Sequence, residues 1–125
     1  MISSHDGRRA IYIDDLNCNE IISFINKDQR HQKKFKYIAE IILEGHRNCE
    51  LYDKEDINEH CKDVTAMKFF KGQENARIYC KEMTTSKGTR IVIAAVLHAN
   101  KKSHKNSEVE KTIINKVGGY EYEID

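Results

Sequence analysis

The chain has 125 residues, with 21 Lys or Arg against 20 Asp or Glu for a net charge of +1, the scale of one ordinary domain spanning 1–125. Hydrophobic residues make up 39% and charged ones 33%, with no Pro, no Trp and 6 Gly, which excludes collagenous and linker-dominated chains. No apolar run approaches the ~18 residues of a membrane span, and the first nine residues lack the apolar core of a secretory signal, so a soluble cytoplasmic protein with no membrane partner is expected.

Arg8 to Asp14 reads as a first strand, its apolar centre formed by Ala10, Ile11, Tyr12 and Ile13. Residues 17–45 follow with helical spacing, first through Ile21, Ile22, Phe24 and Ile25, then through Phe35, Ile38, Ala39, Ile41 and Ile42. Asn17 or Asn19 can cap the start, and polar residues from Lys27 to Gln32 interrupt the run. Gly45 is a natural stop. Two helices, or one bent helix, are expected. The stretch from His46 to Asp63 is acidic, with room for a short helix over Asp53 to Cys61 or for a loop facing a basic surface.

From Thr65 the period changes to that of strands. Thr65 to Phe70, Ala76 to Met83 and Arg90 to His98 are rich in Ile, Val, Tyr and Phe and are separated by turn-forming segments. They predict an antiparallel meander. Ile91 to Leu97 is continuously apolar, the mark of a central strand covered on both faces. Asn106 to Val117 then reads as a helix opened by a capping box at Ser107 to Glu110, and Tyr120 to Ile124 alternates like a short strand. The expectation is an α+β fold: an antiparallel sheet, made of the N-terminal strand plus the three-strand meander, with helices packed on one face.

Charge is segregated along this order. Residues 1–67 carry −3, residues 68–105 carry +7 and residues 106–125 carry −3. A basic block in a neutral chain is the electrostatic footprint of a polyanion site, although a strand edge protected by Lys has the same composition. Nucleotide-cradling glycine loops, a paired-histidine zinc motif and a nucleophile elbow are all missing from the sequence. The four cysteines form no CxxC pair, so structural zinc spacing is lacking and buried, reduced thiols are expected. No metal or cofactor is called for.

The basic block does carry groups for metal-free RNA cleavage. That reaction needs a base for the ribose 2′-hydroxyl, cations for the phosphorane and an acid for the departing 5′-oxygen. Lys, His and Tyr move protons, while Arg forks onto phosphate oxygens. Arg77 and Tyr79 alternate on one strand face, Arg90 opens the last strand, and His98 closes it. Arginines on strand faces also commonly pair with carboxylates, Glu74 and Glu82 being the nearest within this block.

The run Lys68-Phe69-Phe70, Asn75-Ala76-Arg77-Ile78-Tyr79, Gly88-Thr89-Arg90-Ile91-Val92 and Leu97-His98-Ala99-Asn100-Lys101-Lys102-Ser103 before a helix resembles the RelE/HigB toxins, the phage-derived HigB-like branch in particular. The resemblance covers roughly residues 65–117. It implies a RelE-like fold and a type II toxin–antitoxin function: a metal-independent endoribonuclease that cuts mRNA on the ribosome. Its partner would be a cognate antitoxin, often a helix-turn-helix repressor. On that reading Arg77 and Arg90 bind the scissile phosphate, and Tyr79 or His98 transfers protons. Lys68, Lys71, Lys101 and Lys102 hold the RNA. Two other functions use the same scaffold: a ParE-type inhibitor of gyrase, and a non-catalytic RNA-binding regulator.

Overall fold

The computed structural model describes residues 2–55, 57–70, 75–99 and 108–123. Its strands are β1 (Ile2–Ser3), β2 (Arg9–Ile13), β3 (Tyr52–Lys54), β4 (Val64–Phe69), β5 (Ala76–Thr84) and β6 (Arg90–His98). Three helices accompany them: α1 (Cys18–Ile25), α2 (Gln29–Glu44) and α3 (Glu108–Gly118). A 3₁₀ turn covers Glu59–Cys61. The six strands form one sheet in the order β1-β2-β6-β5-β4-β3. The meander β4-β5-β6 is antiparallel as expected, and β6 is indeed central, flanked by β2 and β5.

Two features correct the expected architecture. The sheet is mixed, because β2 runs parallel to β6, with Arg9 beside Arg90 and Ile13 beside Ala94. The cause is the path of α2, which returns the chain to the end of the sheet where β2 began, bringing Gly45 against Arg9. The chain then crosses to Tyr52 and β3 brings it back antiparallel to β4, so β4 sets off in the direction of β2, and two hairpin reversals give β6 the same direction. Helices also cover both faces. Ile21, Ile25, Ile38 and Ile42 of α1 and α2 pack on Ile11, Met67, Ile78 and Val92. On the opposite face Ile114 and Val117 of α3 pack on Val64, Ala66, Tyr79 and Ala95.

Helix boundaries follow local chemistry. Asp28 accepts the His31 N–H at 2.8 Å and starts α2, so the polar stretch after Lys27 separates two helices. The eight residues of α1 are too few to be stable alone; burial of Ile21 and Ile25 holds them, at about 1.5–3 kcal/mol for each side chain. Asn17 precedes α1, but its side chain makes no cap bond; it donates instead to the Ala95 carbonyl at 2.8 Å. The acidic stretch holds β3 and the 3₁₀ turn in place of a longer helix. Residues 120–123 pair in no strand, and Tyr122 donates to Asp14 in the β2–α1 turn at 2.5 Å. The capping box at Ser107 and most of the Lys71–Asn75 turn lie outside the described residues.

The phase of β6 matters most for function. Tyr79 pairs with Val96 but Cys80 pairs with Ala94, so Ala95 is an extra residue, a β-bulge. Val92 and Ala94 face α1 and α2, whereas Ala95 and Val96 face α3.

Gly45 closes α2 with φ +74°, and a Cβ there would lie 2.6 Å from Arg9 Cζ. Gly88 has φ +87° but open space around it. Gly45→Ala should therefore cost about 2 kcal/mol and Gly88→Ala about 1 kcal/mol, read from urea midpoints. Equal losses would show that Arg9 yields freely.

Candidate functional site

On the α3 face, at the end of the sheet where β6 finishes, three strands place cationic side chains in a row. Lys68 of β4 pairs in register with Arg77 of β5, and Arg77 with His98 of β6. Tyr79 stands two residues along β5 on the same face and is fully buried. Lys68, Arg77, Tyr79 and His98 are thus gathered as one group. Arg90 does not join them. Eight residues separate it from His98, about 26 Å of strand, and the bulge at Ala95 turns it to the opposite face, beside Ile41, Ile42 and Val92. The notion that Arg77 and Arg90 grip one phosphate is corrected by that geometry. Lys71, Lys101 and Lys102 lie outside the described residues.

Two carboxylates complete the group. Glu55, just past β3, meets Arg77 with Oε1 2.5 Å from Nη1. Side-chain exposure is 8% for Glu55 and 14% for Arg77, so this ion pair is largely removed from water. Glu110, in the first turn of α3, is buried and brings Oε2 to 3.8 Å from His98 Nε2. Lys68 Nζ donates to the Cys49 carbonyl at 3.0 Å, tying the loop before β3 to the site.

Arg77 Nε and Tyr79 Oη are buried and have no hydrogen-bond partner among the described residues. Two donors in that condition cost stability, because water has been stripped from them without replacement. Burial pushes the Tyr79 phenol well above its ordinary value, and the Glu55 charge adds to the effect. The group is therefore a neutral phenol that can donate a hydrogen bond. Arg77 and Tyr79 hold donors for an anion, and His98, Glu55 and Glu110 are groups able to accept or release protons. Among the described residues no cluster of three or more His, Cys, Asp or Glu is placed to hold a metal ion. Cys61 and Cys80 are buried free thiols, while Cys49 is exposed.

Sequence reasoning missed both acids. Glu55 reads as part of an ordinary solvated segment, yet the acidic stretch does fold against the basic one. Glu110 reads as a capping residue. Its warning sign was position: Glu110, Ile114 and Val117 recur at helical spacing, so a carboxylate sits on the buried stripe. Near the basic α1–α2 junction, Arg30 stacks over Phe70 with Cζ 3.8 Å from the ring centroid, a cation–π contact.

Comparison with protein-family models, curated proteins and solved structures returns no match. Among the described residues no helix is long and apolar enough to cross a membrane.

Two stability outcomes follow. Glu55→Ala leaves a buried guanidinium without its counter-charge and should cost about 3 kcal/mol; pairing Glu55→Leu with Arg77→Met should restore much of it in denaturant titrations. Tyr79→Phe removes an orphaned hydroxyl and should leave stability unchanged or raise it by up to about 1 kcal/mol. It should also flatten the alkaline limb. A phenol raised in the folded state contributes fully below the ordinary value of 10.0, and its contribution is lost as pH climbs above that value. A wild-type midpoint that is flat from pH 9 to about pH 11 would contradict this assignment.

Proposed function

We propose that the chain is a toxin of the RelE/HigB type, an endoribonuclease that cuts mRNA on the ribosome and is held in check by a cognate antitoxin. The observation that carries the reading is the row Lys68–Arg77–His98 on one sheet face, with buried donors on Arg77 and Tyr79 that lack acceptors among the described residues. A phosphodiester supplies those acceptors. The expected strand, helices, three-strand meander and helix occur in that order, with β1 added before them and β3 between α2 and β4.

In this reading Arg77 and Tyr79 hold the non-bridging oxygens as charge builds on the phosphorane, and Lys68 holds the flanking backbone. A proton leaves the ribose 2′-hydroxyl for Glu55 or His98, and the 2′-oxygen attacks phosphorus in line. The bond to the 5′-oxygen breaks as that oxygen takes a proton from the site. The products are a 2′,3′-cyclic phosphate and a free 5′-hydroxyl, so no co-reactant is consumed. Glu55 must release Arg77 as the phosphate arrives, an exchange of one anion for another in the same place. The +7 block draws RNA to the site, and its attraction weakens with salt as counterions are released.

Induced expression should arrest growth and leave cuts in translated mRNA that primer extension maps. Arg77→Ala should lower the cleavage rate at least 10²-fold and His98→Ala by about 10²–10⁴-fold, the range for lost charge stabilisation or proton transfer. Unchanged mRNA and normal growth at verified expression would overturn the reading. Intact mRNA with altered plasmid supercoiling would assign the fold to gyrase inhibition. Salt-dependent ribosome or RNA binding without cleavage would make it a binding module.

A further inference from the structure

The structure holds a second polar cleft, on the opposite face and at the opposite end of the sheet, which the proposed cleavage site does not use. Arg9 of β2 and Arg90 of β6 lie side by side across the parallel pair, and both line this cleft together with Tyr52, Glu82 and Gly45. Neither arginine has a carboxylate within 4.0 Å among the described residues. Like charges on adjacent strands repel; with Arg90 exposed and neither guanidinium held in an ion pair among those residues, both keep donors open to an anion. The Arg9 guanidinium is braced against Gly45 at the carbonyl end of α2, an end that favours a cation and fixes its position.

The floor of the cleft is a directed hydrogen-bond chain. Thr65 Oγ1 donates to Tyr52 Oη at 2.7 Å, and Tyr52 donates to Glu82 Oε2 at 2.8 Å. Glu82 ends the chain as a pure acceptor, and a carboxylate offers about four acceptor positions. The cleft therefore asks for two things in one molecule: an anionic group for the arginines and hydrogen-bond donors for Glu82. Its two chambers, of 170 and 260 Å³, share Glu82, Arg90 and Val92, and Asp63 lines the larger one. That scale suits a ligand at the lower end of the usual small-molecule range of roughly 300–1,000 Å³.

We propose that this cleft binds a sugar phosphate, the class that includes nucleoside monophosphates. A phosphate monoester brings three strong acceptor oxygens, enough to engage the forks of two guanidiniums at once, where a single carboxylate brings two. The sugar hydroxyls are the donors that Glu82 accepts, and Ile41, Ile42 and Val92 form the apolar wall behind them. The assignment does not depend on RNA cleavage, because Arg77 lies on the other face of the sheet.

Isothermal titration calorimetry on the full chain tests it, with ribose 5-phosphate, adenosine monophosphate, inorganic phosphate, ribose and glutamate as probes. Ribose 5-phosphate should bind to the wild type, with at least tenfold loss in Arg90→Gln, whose fold is checked by its urea midpoint. Glu82→Gln should weaken ribose 5-phosphate severalfold while inorganic phosphate, relieved of a neighbouring negative charge, binds as well as before or more tightly. Lys116→Gln, at an exposed cation of α3 outside both sites, should alter neither, whether or not the chain cleaves RNA. If Arg90→Gln binds as the wild type does, or no phosphate probe binds, the proposal is overturned. Equal affinity for inorganic phosphate and ribose 5-phosphate would overturn the sugar assignment, and preferential binding of glutamate would overturn the phosphate assignment. Adenosine monophosphate binding more tightly than ribose 5-phosphate would support the nucleotide member of the class.

Discussion

The extra residue at Ala95 governs where every functional side chain of β6 points. Without it Arg90 and His98, eight residues apart, would share a face, as strict alternation requires. With it, the strand changes phase once, between Ala94 and Val96. Before the bulge the even-numbered Val92 and Ala94 serve the core under α1 and α2; after it the even-numbered Val96 serves the core under α3, while Leu97 takes the α1–α2 side. The bulge leaves a backbone carbonyl outside the ladder, and Asn17 supplies the missing donor from the turn that leads into α1. One side-chain amide thereby links the entry of the first helix to the division of the sheet into two polar ends.

The end under α3 concentrates charge in a place shielded from water. Such an arrangement stands only if its members answer one another, because burying an unpaired charge costs several kcal/mol. Glu55 answers Arg77 directly. Placement of Glu110 beside His98 depends on where α3 lies, and that helix is fixed at its far end. Lys81 donates to the carbonyls of Gly118 and Tyr120, where a cation suits the helix terminus. Cys61 and Val64 pack beneath the same turn. The chemistry at one end of α3 is thus set by an anchor one helix length away.

Much of the architecture was legible because it rests on local rules. Short runs rich in Ile, Val, Tyr and Phe between turn-forming segments located β2, β4, β5 and β6, and helical spacing from Phe35 to Ile42 with Gly45 beyond it located α2 with its stop. What sequence could not supply is non-local. The two-residue β1 is too short to carry a pattern, and the parallel alignment of β2 with β6 depends on where α2 ends. Asn17 has the chemistry of a helix cap but is drawn to the stronger demand of an orphaned carbonyl. Glu55 has the neighbours of a solvated residue and is buried because a guanidinium on another strand holds it. The grouping of Lys68, Arg77, Tyr79 and His98 follows from alternation and hairpin register, both readable in principle. The departure of Arg90 follows from the bulge, which a run of Ile, Val and Ala does not announce.

The parallel pairing of β2 and β6 also has a consequence for how the chain is made. Arg9 must wait for Arg90, about eighty residues later, which at 5–20 residues per second is roughly 4–16 s of synthesis. During that time β2 has β1 on one side and a bare edge on the other, and Ile11 lacks most of its eventual cover. The β4–β5–β6 meander, whose contacts are more local, is the part of the sheet that topology makes quicker to form. Arg8 and Arg9 at the start of the waiting strand are charges of the kind that discourage an exposed edge from pairing with a neighbouring chain.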